Sequence, residues 1–373
     1  MSIAEQDKST VSKTQASPKP DFDQAIADQF ASQTIGLLNK AAVAVMMSIG
    51  HRLRLFDAMS QLSASTPQQI AAAAGLQERY VREWLGAMVA GRIVVYDPQA
   101  KTYVLPAEHA AFLTRAATPN NLAGVAQWIP LMGQVEDKIL DKFRNGGGVC
   151  YEEYHRFHDV MAEESGQTTV WGMLDHILPL SPGLRDRLES GIEVLDVGCG
   201  AGRALTLLAQ AFPRSRFLGI DLCEDAIAMA RSHAADQRLA NLQFETKDDT
   251  QIEGEQRFDL ITAFDAVHDQ AHPVRLLEAI ARLLKHDGTF LMQDIGVSSH
   301  VEKNIEHPIG AFVYTISCLH CMTVSLAQNG AGLGAAWGEE LALQMLADAG
   351  FSHVVVHKLP HDIMNNYYVA KLA

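Results

Sequence analysis

The chain is poor in the features that secreted, membrane-spanning and nucleic-acid-coating proteins rely on. Five cysteines in 373 residues, an odd number spread without regular spacing, argue against a disulfide framework and for a reducing compartment, the cytoplasm. Lys and Arg number 30 against 44 Asp and Glu, a formal charge of −14, and such a field opposes general binding to phosphate backbones, so nucleic acid is not an expected partner. No run approaches the roughly 20 apolar residues of a spanning helix. The polar stretch from Met1 to about Pro20 lacks the apolar centre of a secretion signal and reads as a loose tail. What is present is 48% hydrophobic and 20% charged residues, a globular composition on a chain too long for one ordinary core.

Two domains and a connector are therefore expected. From Asp21 to Phe56 the apolar residues Ile26, Phe30, Leu37, Leu38, Val45, Met46 and Ile49 recur at helical intervals, interrupted near Gly36, which predicts two helices sharing one buried stripe suited to a partner subunit. Thr66-Pro67 opens a short helix that stops at Gly75. Gln77 to Val89 predicts a second helix with Tyr80, Val81, Trp84, Leu85 and Met88 on one face. Ile93–Tyr96 and Tyr103–Leu105 then predict a hairpin. Helix, turn, helix and β-wing over residues 21–117 form a winged-helix unit. Its second helix offers only Arg79 and Arg82 to DNA, so dimerisation is the expected role and a DNA-binding sensor the rival one. Residues 118–190 read as a helical connector whose Tyr151–Met161 stretch, including Tyr154, roofs a pocket.

From residue 191 to 373 short apolar strands alternate with helices, the signature of an α/β, Rossmann-like sheet. Strands are predicted at Glu193–Val197, Arg216–Ile220, Leu242–Glu245, Phe258–Ala263, Thr289–Gln293, Ser352–Lys358 and Tyr367–Lys371. The first ends in Asp196-Val197-Gly198-Cys199-Gly200-Ala201-Gly202, a glycine-rich turn that lets a ligand approach bare backbone at a helix N-terminus. The second ends in Gly219-Ile220-Asp221, which places a carboxylate about 20 residues on, where the ribose hydroxyls of a nucleoside would lie. A dinucleotide dehydrogenase needs G-x-G-x-x-G, and here the third glycine comes one residue early.

These motifs, with Lys247-Asp248-Asp249 after the third strand and a closing antiparallel hairpin, resemble the class I S-adenosylmethionine-dependent methyltransferases. The whole chain resembles bacterial small-molecule methyltransferases with an N-terminal winged-helix dimerisation domain. The resemblance implies a seven-stranded sheet, S-adenosylmethionine as cofactor, a small-molecule acceptor and a homodimer. It implies that Gly198, Gly200 and Gly202 flank the methionine part and that Asp196 supports the turn or the amino group. Asp221, with Leu222 beside it, takes the ribose, Asp248 or Asp249 addresses adenine, and Phe264 and Asp265 contact the cofactor.

Methyl transfer from a sulfonium needs a deprotonated acceptor held in line and shielded from water. Phe264-Asp265-Ala266-Val267-His268-Asp269-Gln270 follows the fourth strand, and His268 is the first candidate for the base, with Asp265 or Asp269 fixing its tautomer. His320, in Cys318-Leu319-His320-Cys321-Met322, is the second. That motif lies in an insertion over residues 297–338, expected to act as a lid. Its C-x-x-C pair has no second pair, so no metal is expected. Soft side chains there favour a thiol or sulfide acceptor slightly over oxygen.

Overall fold

The computed structural model describes residues 22–248, 252 and 254–373, so the tail ending near Pro20 and Asp249 lie outside the described residues. The chain divides into two units, Met1–Ala42 and Val43–Ala373. A single helix, Gln24–Arg52, replaces the two expected, because one glycine inside a long helix costs only about 1 kcal/mol and Gly36 has open space around it. In the first unit Ile26, Phe30, Ile35, Leu37 and Leu38 are between 66 and 69% exposed.

The second unit begins with the winged helix. Pro67–Ala74 is opened by a capping box, in which the Thr66 hydroxyl accepts from the Gln69 backbone N–H and the Gln69 side chain accepts from the Thr66 N–H. Gly75, at φ 67°, closes it. Glu78–Ala90 buries Val81, Trp84, Leu85 and Met88 against Phe56 and Ile70, while Tyr80, expected on that face, is exposed. The wing is β1 (Val95–Asp97) paired antiparallel with β2 (Thr102–Val104).

Seven strands then build one sheet: β3 (Glu193–Val197), β4 (Arg216–Asp221), β5 (Leu242–Thr246), β6 (Phe258–Phe264), β7 (Leu284–Ile295), β8 (Phe351–Leu359) and β9 (Asp362–Leu372). Their spatial order is β5-β4-β3-β6-β7-β9-β8, parallel except for β9, which runs antiparallel between β7 and β8. Neighbouring residues along a strand enter opposite cores. Leu195, Ile261, Phe290 and Tyr368 pack on one face, Val194, Leu260, Leu291 and Tyr367 on the other, so strands buried on both sides read as unbroken apolar runs. Chain order reverses between β3 and β6, which makes their carboxyl ends the natural ligand crevice.

A third apolar cluster roofs that crevice, joining Trp128, Val135 and Tyr154 of the connector to Val313, Ile316, Cys321 and Val324 of the insertion. The insertion is helical over Gly310–Ile316 and Met322–Ala327, with a wider π-type turn at Ser317–Cys321. By length and composition Gly310–Ala327 passes as a membrane span, contrary to the expectation of none, but half of it is buried in this fold. Thr323 fastens it by accepting the Val149 N–H.

Candidate active site

The glycine turn is held open by geometry that other residues would not adopt. Gly198, Gly200 and Gly202 have φ of 68°, 52° and 68°. A Cβ on Gly198 would lie 2.5 Å from that of Ala266, and one on Gly202 would lie 2.4 Å from the Phe244 ring. At Gly200 a Cβ would meet nothing within 4 Å, so bare backbone faces free space there. Asp221, at the end of β4, accepts the Gly200 N–H at 2.8 Å and the Cys223 N–H at 2.9 Å, tying the turn to the neighbouring strand. Cys223, not Asp221, is the N-cap of the following helix. Leu222 is exposed beside it, and Asp248 follows β5 on the same edge.

Asp196 is buried on β3 and accepts from the Thr262 hydroxyl at 2.6 Å. Burial lifts its carboxyl to about 7; the Thr262 bond opposes that and the Asp221 charge adds to it. Phe264 ends β6 opposite Gln293 of β7 and packs in the sheet core. Asp265 turns the chain at φ 55°, donates its N–H to the Gln293 carbonyl at 2.9 Å, and leaves Oδ1 buried without a partner. Its carboxyl rises to about 8 through burial, with His268 opposing and Asp294 adding.

His268 is buried, with Nδ1 2.8 Å from Asp294 Oδ1, so the residue that orients the ring is Asp294 rather than the expected Asp265 or Asp269. The same Asp294 oxygen accepts from Trp337 Nε1 at 2.9 Å and from the Ile295 N–H at 2.8 Å, while Oδ2 has no partner. Burial disfavours the imidazolium, but the Asp294 carboxylate and the Cys321 sulfur outweigh it and hold His268 well above its ordinary value. Asp269 accepts the Tyr151 hydroxyl at 2.7 Å. Burial raises its carboxyl to about 6, with His268 and the Tyr151 bond opposing. The insertion grips this loop from behind, through Gly334 N–H to the His268 carbonyl and Ala331 N–H to the Ala271 carbonyl.

His320 sits in an aromatic box. It stacks on Phe157 at 4.2 Å and is edged by Tyr154 at 4.8 Å, Tyr151 at 5.5 Å and Trp128 at 6.2 Å. Burial first, then His268 and His158, push it down to about 3, so it stays neutral and is a feeble base, with Nε2 unpartnered. Tyr154, expected in the roof of the pocket, donates its hydroxyl to the Leu319 carbonyl at 2.6 Å and fixes the π-type turn. Glu164 receives the Trp128 indole N–H and, through burial, reaches about 7.

Reasoning from sequence missed Asp294, Trp337 and Tyr151. Register held the only clue to Asp294: β6 and β7 run parallel, so the two strand ends bring residues 265 and 294 to one level. Asp265, His268 and Asp294 also offer ligand atoms within 4.8 Å of one another. The set as a whole fits S-adenosylmethionine. Buried, proton-retaining carboxyls suit a sulfonium and an ammonium, and the open glycine backbone suits the chain between them.

The chain is similar to known proteins in both its N-terminal and its C-terminal parts. Residues 41–115 match the family described as an Rv2258c-like winged HTH domain, and residues 188–350 match a methyltransferase domain. A ubiquinone biosynthesis O-methyltransferase of Coxiella burnetii is 32% identical over 129 residues, 34% of this chain and 49% of the relative. Its counterpart in Hydrogenovibrio crunogenus is 29% identical over 153 residues, 40% and 61% of the two chains. The chain thus spans about half the length of the curated relatives it matches. Among solved structures, a putative O-methyltransferase of Nostoc punctiforme superposes with TM-score 0.68 at 19% identity, covering 95% of this chain and all of the other. Human N-acetylserotonin methyltransferase, solved with S-adenosylmethionine, gives 0.66 at 14% identity over 95% of this chain and all of its own.

Proposed function

We propose, from the premise that this chain belongs to the class I methyltransferases with an N-terminal winged-helix domain, that it methylates a hydroxyl group of a small molecule. The observation that carries this reading is the buried His268–Asp294 pair beside the glycine turn. When bound, S-adenosylmethionine supplies an electrophilic methyl on a sulfonium. Gly198, Gly200, Gly202, Asp221 and Leu222 would hold it, with Asp196 and Asp265 facing its positive charge and Asp248 on the adenine side.

Asp294 accepts a hydrogen bond from the Nδ1–H of His268, which selects the tautomer whose Nε2 can accept a proton from the acceptor. The Asp294 carboxylate holds the ring above its ordinary value. A positive charge entering the site pulls that value back down. The aromatic box around neutral His320 favours a flat, largely apolar acceptor and keeps water from the reacting centre. Oxygen replaces the slight preference for sulfur, because the similar proteins carry O-methyltransferase in their names.

The test is formation of S-adenosylhomocysteine over a panel of phenols, other hydroxylated rings and thiols. His268→Ala should keep cofactor binding by calorimetry and lose at least about 100-fold in kcat; full turnover by that variant defeats the assignment. A DNA-binding sensor is disfavoured because Arg79 and Arg82 are already paired with Glu83 and Glu78 on their own helix. The exposed apolar helix residues supply a surface for a second copy, which light scattering on the purified chain would detect.

A further inference from the structure

The nucleoside edge of the site is walled by the connector as well as by the sheet. Arg156 sits in a left-handed bend at φ 71°, with its guanidinium donating to the Gln127 side-chain oxygen at 2.9 Å, and it starts the helix Phe157–Ser165. The first two residues of that helix touch different walls. Phe157 stacks on His320 of the insertion at 4.2 Å, whereas Nε2 of His158 lies 3.2 Å from Sγ of Cys223. Cys223 stands two residues beyond Asp221 and gives its backbone N–H to that carboxylate at 2.9 Å. His158 thereby reaches the surroundings of the acid assigned to the ribose from 65 positions before Cys223. His158, Cys223 and Asp221 are each half-buried, so a ligand has access to all of them.

A carboxylate is only half of a ribose site. Each ribose hydroxyl gives one hydrogen bond and accepts others, whereas an ionised Asp221 only accepts. Its two oxygens receive the Gly200 and Cys223 N–H groups, which orient it and leave lone pairs for the hydroxyl protons, but it has nothing to give the hydroxyl oxygens. An imidazole with its proton on Nε2 supplies that donor, from the atom that faces sulfur in the ligand-free protein. Thiol sulfur is a weak hydrogen-bond partner, so the contact with Cys223 keeps the ring in place and yields to a hydroxyl at small cost. We propose that His158 is a cofactor-binding residue, which exchanges Cys223 Sγ for a ribose hydroxyl oxygen and makes recognition of the nucleoside depend on that hydroxyl. The inference rests on the ribose role given to Asp221 above. The rings of Phe157 and His158 meet edge to face at 5.3 Å, so the turn that closes on the nucleoside also carries one wall of the aromatic box.

The experiment titrates the purified full chain, by calorimetry, with S-adenosylhomocysteine and with its 2′-deoxy and 3′-deoxy analogues. Wild type should bind the parent compound and lose affinity for the analogue that lacks the hydroxyl His158 addresses. His158→Phe keeps a flat ring and should weaken the parent roughly three- to tenfold, the effect of one neutral hydrogen bond. The same variant should weaken that analogue by less than about twofold, since the partner is already gone. His158→Gln, whose amide carries a donor, should recover part of the loss. Cys223→Ala should leave the parent Kd within about twofold or tighten it, because only a competing partner of the ring is removed. A contact that merely fastens the lid would instead make Cys223→Ala as harmful as His158→Phe, and that result overturns the proposal. So does a His158→Phe loss that is absent, or equal for the parent and both analogues; each of these leaves the cofactor assignment standing. Equal affinity of the wild type for all three ligands needs no variant to fold and removes the ribose reading of Asp221 together with the proposal. Failure of the wild type to bind S-adenosylhomocysteine removes the cofactor assignment as well.

Discussion

Binding of S-adenosylmethionine should drive protons out of this site, and the number can be worked from four carboxyl groups. Asp265 lies at about 8, Asp196 and Glu164 at about 7, and Asp269 at about 6. At pH 7 the first is roughly nine-tenths protonated, the next two roughly half each and the last about one-tenth. A unit positive charge about 5 Å from a carboxylate, at an effective dielectric of about 20, contributes about 3 kcal/mol, or roughly two pK units. That shift ionises Asp265 and Asp196, the two beside the glycine turn, and gives about 1.4 protons released, approaching two if all four respond. The sign follows: the protonated carboxyls must lose protons before a cation binds well, so affinity rises with pH between about 6 and 8 and levels off above. The slope is roughly tenfold per unit for each proton released. Calorimetric titration in buffers of different ionisation enthalpy reads the number directly. S-adenosylhomocysteine, which lacks the sulfonium charge, should release fewer. A zero slope against buffer ionisation enthalpy, together with a pH-independent Kd, would falsify the charge-matching argument.

Other consequences are equally open to measurement. Asp294→Asn should leave the cofactor Kd within about twofold, lower kcat, and move the acid limb of the pH–rate profile downward, since the largest influence raising His268 is then gone; an unmoved limb refutes its positioning role. Gly202→Ala, which combines a positive φ with collision against Phe244, should weaken cofactor binding more than any change at Gly36, by calorimetry. Trp84→Ala removes a fully buried ring packed on Phe56 and its bond to the Met46 carbonyl, and should cost about 3–5 kcal/mol in urea denaturation. Glu163 lies at about 2 because, although burial would raise it, the His51 and Gln127 bonds and Arg115 outweigh that. Its contribution is therefore complete above about 4.5, the ordinary glutamate value, and vanishes as pH falls toward 2. The stability gap between wild type and Glu163→Gln should close over that range.

How much could be read in advance depended on the range of each signal. The seven strands and the glycine turn were legible because apolar runs and positive-φ glycines are local properties of a few consecutive residues. Asp221 was legible because a strand end and a fixed interval located it. Asp294 was not, because its tie to His268 spans 26 residues and exists only through the pairing of β6 with β7. The turn at Ser317–Cys321 was hidden within an apolar pattern that reads equally well as uninterrupted helix. The break expected at Gly36 failed because flanking helix formers outweigh one glycine.

The bond from Trp337 to Asp294 sets the handling of protons apart from the holding of cofactor. Everything assigned to gripping the nucleoside is complete by about residue 265, whereas the ring that handles protons is steadied by an indole encoded 43 positions after its carboxylate partner. A variant that loses only that indole would be a holder of cofactor with a loose, poorly aimed imidazole.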